Sequence, residues 1–118
     1  MKYLVDMKLT DGGRPTTLAE GIAFIGQFII PSLEICKKWQ AENKIVAGGP
    51  VGGSIEIAMI LNVESIEELD KLLGSLPISA RMNTTVKELV SFDTRLGDVR
   101  SRLDAMKSRA DAALQNRQ

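Results

Sequence analysis

Apolar residues recur at every second position in Ile55, Ile57, Met59 and Leu61, while the other parity carries Ser54, Glu56, Ala58 and Ile60. This alternation predicts a strand with one uniformly apolar face and a second face that is apolar at one end only. Ser65 and Glu68 then stand at capping-box spacing, in which each side chain satisfies a free backbone N–H, and Ile66, Leu69, Leu72 and Leu73 repeat at helical intervals. A short helix is predicted from Ser65 to near Gly74, with Pro77 preventing any continuation. From Met82 to Val90 the chain is rich in Thr and Val, and Thr84, Val86, Glu88 and Val90 alternate with Thr85, Lys87 and Leu89, as in a strand.

Upstream, Lys2 to Thr10 alternate as well, with Tyr3, Val5, Met7 and Leu9 on one side and Leu4, Asp6 and Lys8 on the other. Asp11 to Pro15 form a turn cluster, and Thr17 with Glu20 repeats the capping spacing, so a first helix starts there. Its middle is apolar nearly all round: Leu18, Ile22, Ile25 and Ile29 make one stripe, Phe24, Phe28 and Ile35 another. Such a helix is expected to be buried on more than one side. Pro31 should kink or briefly break it around Phe28 to Ser32, either as a plain core kink or by freeing carbonyls near Gln27 to line a cavity. The face Ile35, Cys36 and Trp39 continues toward Lys44, and Ile45 to Ala47 begin a short strand. Gly48 to Gly53 hold four glycines, lack the Lys-Ser/Thr ending of a phosphate-binding loop, and predict a hairpin-like connection mobile enough to flap over a pocket.

Strand, short helix and returning strand form the second half of a split βαβ unit, so the predicted fold class is α+β, a ferredoxin-like plait with a four-stranded antiparallel sheet. Val63-Glu64-Ser65, Glu68-Leu69, Leu72-Leu73, Ser75-Leu76-Pro77, Met82, Val86 and Leu89 also resemble the muconolactone isomerase family. With a compatible first strand and helix, the resemblance spans residues 1–92. It implies subunits that pair sheet to sheet as a dimeric α/β barrel and assemble further. It also implies cofactor-free movement of a carbon–carbon double bond within an unsaturated lactone. Where the family tends to place bulky and aromatic residues after the proline, this chain has Ile78, Ser79, Ala80 and Arg81. No catalytic residue is carried over from the family.

Residues 93–118 are expected to be a helical extension of the 1–92 domain. Asp93 or Thr94 can cap the helix, and Leu96, Val99, Leu103, Met106 and Ala110 fall at spacings of 3, 4, 3 and 4, a narrow coiled-coil seam. Asp98 with Arg102, Arg100 with Asp104 and Lys107 with Asp111 are i,i+4 pairs. The tail holds six basic residues against four acidic ones, a net +2 that balances −2 in the rest. An exposed helix with ordinary charges competes with an oligomerisation arm, and the arm is favoured because so narrow a seam leaves an isolated helix marginal.

At 118 residues with 15 basic and 15 acidic groups, the chain fits one domain and offers no polyanion-binding surface. Only five aromatics are available for base stacking, so nucleic acid is excluded as a partner. The chain opens on a strand pattern, without the basic start of a signal peptide, and shows no unbroken apolar span; a cytoplasmic protein with no membrane partner is expected. Cys36 is the sole cysteine and histidine is absent, so neither a disulfide nor the usual zinc and haem ligand sets can form. No metal and no cofactor are expected.

Without histidine, proton transfer must use a carboxylate, lysine, tyrosine or the single thiol. Asp6, Lys8, Glu56 and Lys87 lie on strands at parities that put them on one sheet face, opposite Tyr3, Val5, Met7, Ile55, Ile57 and Met59. On the reaction that the resemblance implies, a buried carboxylate, Glu56 above all, shuttles the proton, and Lys8 or Lys87 stabilises the enolate oxygen. The competing reading for Asp6 and Glu56 is a structural ion pair at a subunit interface. Cys36, on an apolar helix face, is read as packing. Two functions follow: a cofactor-independent isomerase or cyclase acting on a small, largely apolar carbonyl compound as a homo-oligomer, or a non-catalytic module for assembly or hydrophobic-ligand binding.

Overall fold

The computed structural model describes residues 1–116. Arg117, counted in the charge of the tail, lies outside them. Strand β1 (Lys2–Leu9) is followed by a 3-10 turn, Asp11–Gly13, and by α1 (Leu18–Phe24). A π-helical turn, Ile25–Ile29, leads without interruption into α2 (Ile30–Ala41). Next come β2 (Ile45–Pro50), β3 (Glu56–Asn62), α3 (Ile66–Gly74), β4 (Met82–Leu89) and α4 (Phe92–Gln115). The strands form one antiparallel sheet in the order β2-β3-β1-β4, the ferredoxin-like arrangement expected from the split βαβ pattern.

Both capping residues act as their spacing predicts: Thr17 Oγ accepts from the Glu20 N–H and Ser65 Oγ from the Glu68 N–H, each at 3.1 Å. The return contacts slip by one residue. Glu20 accepts from the Thr16 N–H and Glu68 from the Glu64 N–H, each at 2.9 Å, one position before the cap.

Tyr3, Val5, Met7, Ile57, Met59 and Leu61 face the helices and are buried, joined from the helix side by Phe24, Trp39, Leu69 and Leu73. Burying each such side chain is worth roughly 1.5–3 kcal/mol, which is why strand parity and helix stripe together fix the layer order. Ile55, assigned to this set by parity, lies just before β3 and is 39% exposed.

The first helix departs from expectation in two ways. Its disturbance lies at Ile25–Ile29, on the N-terminal side of Pro31, and overlaps the expected Phe28 to Ser32 only at Phe28 and Ile29. Pro31 sits in the first turn of α2, where its missing N–H costs little; the Gln27 carbonyl that it cannot satisfy is accommodated by a widened turn, in which the Ile30 N–H reaches back to Ile25. Second, only the Phe24 face is covered: Leu18, Ile22 and Ile25 are 82%, 66% and 52% exposed. By length and composition the helix Leu18–Ala41 suffices to cross a bilayer, contrary to the expectation from the sequence, yet here it packs Phe24, Ser32 and Trp39 against the sheet.

The glycine-rich segment is also corrected. Gly48, Gly49 and Pro50 belong to β2, paired with Met59, Ala58 and Ile57, and the connection is only the stretch from Val51 to Ile55. β2 is an edge strand, where a proline is tolerated. A register shift between Ile45 and Ala47 precedes Gly48, which has φ +98° and lies so close to β3 that a Cβ would meet the Ala58 carbonyl. Only glycine fits there.

Helix α4 is capped by Ser91, whose Oγ accepts from the Thr94 N–H at 3.0 Å, so it starts before the expected Asp93 or Thr94. All of its described residues are exposed, and its length of about 36 Å helps stretch the molecule to 80 × 31 × 25 Å. None of the three i,i+4 pairs closes to a salt bridge; the described residues form only Lys38–Glu42 and Lys44–Glu42.

Candidate functional site

Register places Asp6, Lys8, Glu56 and Lys87 on the sheet face that carries no helix. Lys8 stands directly opposite Glu56, Asp6 opposite Ala58 and Thr85, and Lys87 opposite Leu4. Lys8 and Glu56 are thus brought together at one end of the β1–β3 ladder, whereas Lys87 lies four β1 positions away. No salt bridge joins any of the four, so the structural ion pair foreseen for Asp6 or Glu56 is not formed within this subunit's described residues. One Asp6 carboxylate oxygen is shut off from solvent and has no hydrogen-bond partner.

Glu56 also borders the other layer. As the first residue of β3 it lines a cavity of about 140 Å³ with Ile29, Ser32, Ser54, Ile78 and Met82, and is its sole charged residue. Leu33, Pro50 and Ile57 are shared with a neighbouring cavity of about 300 Å³, floored by Met59 and walled by Gly48 and Gly49 of β2 and by Cys36, Lys37 and Gln40 of α2. Together they make one apolar cleft between the first helix and the β2–β3 hairpin, with Glu56 at one end and Lys37 at the other. Gln27 does not line it, although Ile29 and Ser32, on either side of Pro31, do.

The floor is held by a buried contact. The Ile78 N–H donates to Ser32 Oγ at 3.1 Å, fastening the segment after Pro77 onto α2. Arg81, at the end of that segment, lies 5.3 Å from the Phe24 ring centre and 4.6 Å from that of Phe28, an arrangement favourable for a guanidinium on aromatic faces. Beside it, Arg14, Thr16, Glu20 and Arg81 border a polar groove of about 600 Å³. Glu20 is already engaged: hydrogen bonds from the Thr16 backbone and hydroxyl hold its carboxyl below the usual range, so it stays ionised.

Two further proton-transfer groups are disfavoured by their surroundings. Burial pushes the Cys36 thiol up, and burial together with Glu88 and Glu67 pushes the Tyr3 phenol up, so both stay neutral near pH 7. Cys36 nevertheless lines the cleft as well as packing. Sequence reasoning missed Lys37 and Gln40. Their signal was present as the spacing Leu33, Cys36, Lys37, Gln40, one helical stripe beside the buried one.

No family model and no curated protein matches the sequence. Solved structures do match. Muconolactone isomerase superposes with a TM-score of 0.63 at 22% identity, covering 77% of this chain and 90% of that one. This chain has the muconolactone isomerase fold. The 5-chloro-2-hydroxyhydroquinone dehydrochlorinase TftG of Burkholderia phenoliruptrix AC1100, in complex with 2,5-dihydroxybenzoquinone, superposes with a TM-score of 0.56 at 21% identity, over 80% of this chain and 98% of that one. At such identity the likeness concerns the α+β plait and its four-stranded sheet. The helix α4 stands beyond the plait.

Proposed function

We propose that the chain is a cofactor-independent isomerase or cyclase that moves a proton on a small unsaturated lactone or related carbonyl compound. The observation that carries this reading is the position of Glu56, the sole charged residue of its cavity, at the end of a largely apolar cleft whose far end holds Lys37. An apolar cavity of this size takes a small, largely hydrophobic molecule, and Glu56, at the strand end that borders both the cavity and the helix-free face, is the carboxylate that exchanges a proton with it. Lys8, opposite Glu56 across the ladder, is the cation best placed to balance charge as an enolate forms; Asp6 tunes the pair, and Lys87 is the more distant second cation. The neighbours support the substrate class, since one is a muconolactone isomerase and the other a dehydrochlorinase bound to a dihydroxybenzoquinone. The reacting unit is residues 1–92, with 93–118 appended, and the protein works as a soluble homo-oligomer whose contacts cover Leu18, Ile22 and Ile25.

The second reading, a non-catalytic assembly or hydrophobic-ligand module, is favoured by that same exposed stripe, which can serve association without chemistry. Unsaturated lactones and enones screened against the wild type and Glu56→Gln separate the two. We expect turnover by the wild type, and loss of at least about 100-fold in the variant, the size of a general acid–base contribution, with oligomer mass and ligand binding retained. A wild type inactive on every compound, or a variant as active as the wild type, overturns the proposal.

A further inference from the structure

The seam of α4 is flanked on both sides by cations. With Leu96 at heptad position a, Leu103 and Ala110 are a positions, and Val99 and Met106 are d positions. Arg100 and Lys107 then occupy e, and Arg95, Arg102 and Arg109 occupy g. Of the four acidic residues, Asp98, Asp104 and Asp111 stand outside this frame, at b and c, and Asp93 occupies an e position in the first turn. Among the described residues none of the five cations is within salt-bridge distance of a carboxylate, and Leu96, Val99, Leu103 and Met106 are 48%, 49%, 50% and 59% exposed. The seam and its charges are both free to meet a partner.

Flanking charge decides which partner. In a parallel pair of identical helices each g residue faces the e residue of the next heptad, which sets Arg95 against Arg100 and Arg102 against Lys107. In an antiparallel pair g meets g and e meets e, so cations again oppose cations at every g–g contact and at the e–e contacts of Arg100 and Lys107, the exception being Asp93 in the first turn. Like-charge juxtaposition along most of the seam works against self-pairing in either direction. A membrane surface is disfavoured for another reason: the apolar strip is narrow and ends in alanines, too little apolar area to hold a helix in an interface.

We propose that α4 is a docking helix for another protein, specifically for an amphipathic helix with an apolar 3–4 seam and acidic residues on both flanks. It holds that partner by a heterotypic coiled coil, independently of the chemistry in the cleft. Charge complementarity supplies the discrimination and the seam supplies the burial.

The test uses the full chain and two fluorescent probe peptides, identical helices with leucine and isoleucine at a and d, one bearing Glu and the other Lys at every e and g position. Anisotropy should show the Glu-flanked probe binding at least about 10-fold tighter than the Lys-flanked one, with affinity falling as salt rises from about 0.05 to about 0.5 M. Leu103→Asp should abolish binding of both. Arg102→Glu with Lys107→Glu should remove most of the preference, and because these positions are exposed the variant keeps its fold. Equal binding of the two probes overturns the proposal. So does rapid disulfide-linked dimer formation by Val99→Cys in a Cys36→Ser background, which would show that the helices pair with each other. Binding to phosphatidylcholine–phosphatidylglycerol vesicles with neither peptide bound overturns it too.

Discussion

Lys8 and Glu56 face each other across the β1–β3 ladder, yet their charged groups form no salt bridge. With no ion-pair partner among this subunit's described residues, the Glu56 carboxylate is left available to a substrate. The absence of a bridge also makes the lysine nearly dispensable for stability. Lys8→Met should therefore change the unfolding free energy by no more than about 0.5 kcal/mol, as read from urea melts, while lowering kcat on whichever lactone the wild type turns over. A loss well above that bound would mean that the two charges stabilise the fold.

Gly48 tests the bulge in β2. Its φ of +98° is unsuitable for side chains, and a Cβ there would run into the β3 backbone, with Met59 Cα at 2.6 Å. Gly48→Ala should cost about 2–4 kcal/mol through strain and displaced pairing. Gly49→Ala, whose added Cβ meets nothing within 4 Å, should cost no more than about 1 kcal/mol. Paired denaturant titrations of the two variants check both values.

Ser32 is buried, and its hydroxyl serves the Ile78 N–H. Ser32→Ala leaves that donor without a partner and should destabilise by about 1–3 kcal/mol. Amide exchange at Ile78 should accelerate more than exchange at Leu69, which is bonded within its own helix. Equal acceleration at both sites would point to global loosening instead.

The pH response of Cys36 follows from its burial. Because the folded protein holds the thiol above its ordinary range, the neutral form is favoured, so this contribution to stability is present below the thiol's unfolded value and is lost as pH rises through the folded one. Alkylation by iodoacetamide at pH 8 should be slower than for the same chain in urea, and the gap should narrow at higher pH. Matching rates at pH 8 would refute the assignment.

Where side chains alternate or repeat, the elements were legible: parity marked β1, β3 and β4, and Ser65 and Thr17 marked the helix starts. β2 was seen only as far as Ala47, because Gly48 and Gly49 carry no side chains whose alternation can be read, and a glycine run looks the same in a strand as in a turn. The first helix misled for the opposite reason. Apolar on nearly every side, it offered no contrast to say that Phe24 turns inward and Leu18 outward. Parity correctly grouped Asp6, Lys8, Glu56 and Lys87 on one face, but it cannot supply register, which is what separates Lys8 from Lys87 relative to Glu56. Lys37 and Gln40 escaped because a cleft wall is a property of two elements brought together.

The position of β1 has a consequence for how the protein is made. It is central in the sheet, yet its Lys2 pairs with Asn62 on one side and Leu89 on the other, so both neighbours are synthesised long after it. During translation a bare strand carrying Tyr3, Val5 and Met7 must wait, first for the whole helix from Leu18 to Ala41 and the β2–β3 hairpin, then for β4. Pairing over such sequence distances is slow. The nascent chain is therefore most open to misassociation before residue 89 emerges, and a folding helper that acts on it would have to engage within that interval.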